Sequence, residues 1–184
     1  MEKQQKYTIG IDLGGTNTVF GIVDAQGTIV AQDSMKTQAY ETAEAFVEAG
    51  VARLVPLISK VGGLDAIAGM GIGAPNANFY TGAIETAPNI TWAHERTVPL
   101  AKMFSEQLSS LDSRQKEPFP VRITNDANAA AMGEMAYGAA RGMKNFIVIT
   151  LGTGVGSGIV INGQLVYGHD GFAGELGHTC AVRG

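Results

Sequence analysis

Four short stretches hold the residues able to do chemistry. In Ile11-Asp12-Leu13-Gly14-Gly15-Thr16-Asn17 a carboxylate precedes a glycine pair and a hydroxyl. Glycines leave the amides of such a turn open to an oxyanion, Thr16 adds a donor, and Asp12 can hold Mg2+ or its water. An ordinary hairpin would use the same glycines, because tight turns need positive φ. Leu151-Gly152-Thr153-Gly154-Val155-Gly156-Ser157-Gly158 is a second glycine run. It lacks the Lys-Ser/Thr pair of a P-loop, and it leads into a strand where a dinucleotide fingerprint leads into a helix. A second phosphate hairpin facing the first accounts for it, and a plain glycine turn is the alternative. In Ile123-Thr124-Asn125-Asp126-Ala127-Asn128 a carboxylate stands where a strand passes into a helix. Asp126 can there accept the proton of a sugar hydroxyl, and helix N-capping is the competing role. Glu175 and His178 lie three apart and can share one face, where carboxylate and imidazole grip vicinal hydroxyls. A surface pair is the alternative there, and one His makes no metal site.

Those residues need elements to hold them. Residues 7–13 alternate, and 19–23 and 28–32 follow as strand-like runs, so the chain opens as an antiparallel meander with Asp24 to Gly27 as one turn. Residues 42–61 carry Phe46, Val47, Val51, Leu54, Val55 and Ile58 at helical spacing, and Gly62-Gly63 stops them. Pro56 should bend or divide that helix, since it lacks the donor to residue 52. A strand over 67–72 and a helix over 98–110 come next. The polar stretch 109–120 is the expected crossover between lobes, so that a strand at 121–124 and a helix at 127–137 open the second lobe. Residues 145–151, 159–161 and 165–167 then repeat strand, glycine turn, strand, tight turn, strand, the organisation of a two-lobed actin-like fold. The division is 1–120 for the first lobe and 121–184 for the beginning of the second.

Composition limits the partners. A chain of 184 residues with 45% apolar content can bury a core. A net charge of -4 and no Lys/Arg cluster longer than a dipeptide leave no footprint for nucleic acid or an acidic membrane. Phosphate must then be bound by amides, local side chains and metal. Cys180 is the single cysteine, and no apolar run is long enough to span a bilayer, so a cytoplasmic protein is expected.

Asp12 to Thr16, Ala87-Pro88-Asn89-Ile90-Thr91-Trp92, Asn125 to Asn128, Leu151 to Gly156 and Gly174-Glu175-Leu176-Gly177-His178 fall in the order found in sugar kinases of the ROK family, which the chain resembles over nearly its whole length. The resemblance implies an α/β, actin-like ATPase (ribonuclease H-like) fold, with a complete first lobe and the start of the second. It implies ATP-dependent phosphorylation of a hexose, glucose first among them, with Asp126 as general base. Gly14, Gly15 and Thr16 would bind phosphate, Gly152, Thr153 and Gly154 would meet it from the other side, and Asn125, Glu175 and His178 would contact the sugar. Mg2+ and a homo-oligomer belong to the same picture. Two departures stand out. Gly73-Ala74-Pro75-Asn76-Ala77 replaces the family's usual Pro-Gly, which makes Asn76 the candidate sugar contact there. The family's cysteine-rich zinc segment is not reached by Gly184, so His178 would be a Zn2+ ligand without its partners, and Cys180 reads as a small core residue. A sugar-sensing regulator of the same family needs a DNA-binding domain ahead of the first strand, and six residues precede Tyr7. A non-catalytic sugar-binding fragment is the other alternative.

Overall fold

The computed structural model describes residues 6–112, 117–152 and 154–179. Strands β1 (Tyr7–Leu13), β2 (Asn17–Asp24) and β3 (Ile29–Lys36) form the expected antiparallel meander. Its second turn is held by Asp24, whose Oδ1 accepts from the amides of Gln26 and Thr28, with Gly27 at φ 85°. Helix α1 (Ala43–Lys60) follows, with Thr42 as N-cap accepting from the Ala45 amide. Pro56 neither divides it nor disturbs the core: it lies on the exposed face, so the missing donor leaves an acceptor facing water.

Strand β4 (Ile67–Gly73) runs parallel to β1. The glycine- and proline-rich connection after it contains a small sheet the sequence pattern does not announce, β5 (Ala77–Asn78), β6 (Ala83–Glu85) and β7 (Thr97–Val98). Helix α2 (Leu100–Ser110) then leads to β8 (Val121–Thr124). Placing 121–124 at the opening of a second lobe is corrected here: β8 pairs in parallel with β4 and completes a first sheet of order β3-β2-β1-β4-β8. Parallel neighbours need a crossover, and α2 with the polar link behind it is that crossover.

The sheet presents two unlike faces. Ile9, Ile11, Leu13, Phe20 and Ile22 point toward α1 and α2 and are buried with Phe46, Leu54, Phe104 and Leu108. Burying a side chain such as Phe46 contributes about 1.5–3 kcal/mol. Trp92 joins this core, its ring centroid 4.7 Å from that of Phe46. The other face carries Gly10, Asp12, Gly71 and Gly73 at alternating positions, and α3 (Asp126–Tyr137) packs there. Beyond α3 lies a second sheet of order β11-β10-β9, made of β9 (Phe146–Leu151), β10 (Val155–Ile161) and β11 (Gln164–Leu165). Among the described residues no helix is long and apolar enough to cross a membrane.

Candidate active site

The first glycine turn is held from one side. The Thr37 hydroxyl donates to Gly14 O at 2.7 Å, Gln38 Nε2 to Gly15 O at 2.8 Å, and the Thr37 amide to Thr16 O at 2.9 Å. Three successive carbonyls thus face residues 37–38. In a planar trans peptide the N–H points opposite to its carbonyl, so the amides of Gly15, Thr16 and Asn17 are directed away from that segment. Outward-facing amides of this kind suit an oxyanion.

Asp12, next to last in β1, and Asp126, which opens α3 just past the end of β8, lie near one another. Asp12 lies opposite Gly73 in the β1–β4 register, and a Cβ built on Gly73 would stand 3.7 Å from the Cα of Asp126 and 3.1 Å from Ala129. The Asp12 carboxyl is held above its ordinary value, by partial burial first and then by the charge of Asp126. Capping belongs chiefly to Asn125, whose Oδ1 accepts from the Ala127 amide at 2.9 Å; Asp126 Oδ1 reaches the same amide at 2.8 Å and opens the helix. Two neighbouring carboxylates attract a divalent cation, and these would hold Mg2+. Among the described residues no three His, Cys, Asp or Glu side chains form a metal cluster, so the ion would complete its shell with phosphate oxygens and water, as Mg2+ commonly does.

The second glycine run divides into two parts. Gly152 and Gly154 form the tip, where the Gly152 amide donates to Gly154 O and an added Cβ would meet nothing within 4 Å. Thr153 lies outside the described residues. Gly156 and Gly158 belong to β10 and pack on α3. A Cβ on Gly156 would come within 3.0 Å of Ala127 Cβ, and one on Gly158 within 2.6 Å of Ala131 Cβ. The hairpin therefore lies along α3 with its tip beyond Ala127, at the end where Asp126 stands and where the first turn leaves its sheet. Both turns project from the same end of the fold.

The remaining predicted residues are more dispersed. Glu175 and His178 pair at 3.7 Å between Oε2 and Nε2, on a segment anchored where the Ser157 hydroxyl donates to Gly174 O. Asn76 has φ 51° and donates from Nδ2 to Thr86 O at 2.9 Å, so its amide nitrogen is committed to the backbone of the small sheet. Cys180 lies outside the described residues.

An open cleft of about 1080 Å³ flanks the first turn, lined by Gly15, Thr16, Gln38, Asn89, Thr91 and Arg96 among others; Asp126, Glu175 and His178 are not on its walls. Gln38 is the hub sequence reasoning missed. Besides Gly15 it donates to Asn89 O at 2.8 Å, and its Oε1 accepts from the Thr91 hydroxyl. Only its position just after a strand distinguishes it in the sequence.

The two sheets flanking α3 are those of the actin-like ATPase fold, and solved ROK kinases share them. Residues 8–183 match the ROK family, and the chain belongs to it. A glucokinase from Streptomyces coelicolor is 40% identical over 176 residues, 95% of this chain and 50% of that protein. The crystal structure of a ROK family glucokinase from Streptomyces griseus in complex with glucose and AMPPNP is 37% identical, with a TM-score of 0.76 over 96% of this chain and 51% of that one. The xylose repressor of Bacillus subtilis is 32% identical over 178 residues, 96% of this chain and 43% of the repressor. The chain spans about half the length of the curated relatives it matches.

Proposed function

We propose that this chain carries the acceptor base and phosphate turns of an ATP-dependent hexose kinase, with glucose as acceptor. The observation that supports it most is the juxtaposition of Asp12 and Asp126 at the end from which both glycine turns project. In this reading the Asp126 carboxylate takes the proton of the primary hydroxyl. The freed oxygen forms a bond to the γ-phosphorus, the bond from that phosphorus to its bridging oxygen breaks, and the electron pair leaves on ADP. Asn125, Glu175 and His178 orient the sugar, and the amides around Gly14 to Thr16 and Gly152 to Gly154 receive the phosphate oxygens. Mg2+, when bound beside Asp12, neutralises phosphate charge. His178 could serve Zn2+ only with further ligands.

ADP release measured with a panel of hexoses tests the reading. Turnover on glucose is expected in the wild type, and Asp126→Asn should lower it by roughly 10²–10⁴-fold, the usual contribution of a general base, with glucose affinity nearly intact. Undiminished turnover in Asp126→Asn would refute the assignment. The similarity to a xylose repressor favours one alternative, a sugar-responsive regulator, which would bind sugar and release no ADP.

A further inference from the structure

Residues 78–80 grip a segment some ninety positions later in the chain. Asn78 is 5% exposed and uses both ends of its amide. Its Oδ1 accepts from the amides of Tyr80 at 2.9 Å and Thr81 at 3.4 Å, which caps the β5–β6 turn. Its Nδ2 donates to Asp170 O at 2.8 Å. Phe79 stacks on Tyr167 with centroids 4.3 Å apart, and the Tyr80 hydroxyl donates to Gly168 O at 3.0 Å. The gripped chain is shaped to fit: Gly171 has φ 88°, and a Cβ there would stand 2.7 Å from Asn78 Oδ1. Three residues on, Gly174 is fastened to Ser157 of β10. Glu175 and His178 follow directly, so their placement depends on this arm being docked at both points.

We propose that Asn78 is a positioning residue that clasps the acceptor arm to the small β5-β6-β7 sheet; the inference rests on reading Glu175 and His178 as sugar contacts. A buried amide that both accepts and donates cannot be replaced by an apolar residue without orphaning backbone groups. Asp in its place keeps the acceptor for Tyr80 and Thr81 and turns the donor into an oxygen facing Asp170 O.

Asn78→Asp therefore leaves the turn capped and opens the clasp, and Gly171→Ala attacks the same contact from the other side. In both variants hydrogen–deuterium exchange over residues 167–179 should rise about tenfold, the loss of one buried hydrogen bond, with β1 and β4 unchanged. Glucose affinity by calorimetry should weaken by about the same factor, and affinity for AMPPNP with Mg2+ by less than about twofold. Unchanged exchange in the arm overturns the proposal. So does faster exchange with unchanged glucose affinity. A wild-type protein that binds no glucose at all would instead sink the kinase reading, while the exchange data still decide whether Asn78 holds the arm.

Discussion

Gly158→Ala separates a structural glycine from its neighbours at the hairpin tip. The added Cβ would lie 2.6 Å from Ala131 Cβ, 2.8 Å from Ala127 O and 3.3 Å from Asn128 Cα. Carbon atoms sit at about 3.5–4.0 Å in ordinary contact, so α3 and β10 must separate by about 1 Å. Two of the three obstacles are backbone atoms of α3, which no rotamer change can move aside. Overpacking of this kind costs about 1–3 kcal/mol. A loss of about 2 kcal/mol lowers Tm by roughly 4–8 °C in a chain of this size. The shift also acts on the helix that begins with Asp126, where a displacement of about 1 Å costs roughly 10²-fold in rate. Melting followed by circular dichroism, with ADP release beside it, checks both numbers. Gly156→Ala should be milder, because its closest obstacle at 2.7 Å is the rotatable Thr150 Oγ1. Gly152→Ala and Gly154→Ala have open space and should leave Tm alone, so any loss of nucleotide affinity there reports on the ligand. A Gly158→Ala protein melting within about 1 °C of wild type would refute the packing argument.

Asp12→Asn should raise Tm near neutral pH: the folded pKa is raised from 3.8, so stability falls as pH rises from that value through the folded one, and the amide removes the loss. The difference should vanish in acid and shrink when Mg2+ is added to the wild type, which melting curves across pH would record. Gln38→Ala removes three neutral hydrogen bonds beside the first turn, to Gly15 O, Asn89 O and the Thr91 hydroxyl, and should raise the KM for ATP by about tenfold with little change for the sugar. Ile147, Ile149 and Leu151 form an exposed apolar row on the edge strand β9, and self-association of the 184-residue chain is expected; light scattering showing only monomer at high concentration would contradict it.

Much of the scaffold was legible because its signals are local. Alternation marks β1, helical spacing with Thr42 and Gly62-Gly63 bounds α1, and Asn125-Asp126 announces α3. What escaped was set by partners distant in the chain. The strand at 121–124 is easily recognised, but whether it joins β4 or begins a new sheet depends on pairing, which its own residues do not encode. The alternating glycines of 152–158 read as one motif, yet only the tip is open; Gly156 and Gly158 are glycine because α3 passes within a methyl's reach. Gln38 and Asn78 carry no motif, and each matters through hydrogen bonds to residues tens of positions away.

The small side chains of α3 have a mechanical consequence. Ala129 nests against Gly73 of one sheet and Ala131 against Gly158 of the other, so the helix touches both plates through side chains no larger than a methyl. Asp126 is joined to β8 through a single residue, which ties it to the first plate. Should the plates swing together over a nucleotide, Asp126, the proposed base, would keep its place relative to Asp12 while the loop around Gly152 and Gly154 travels inward.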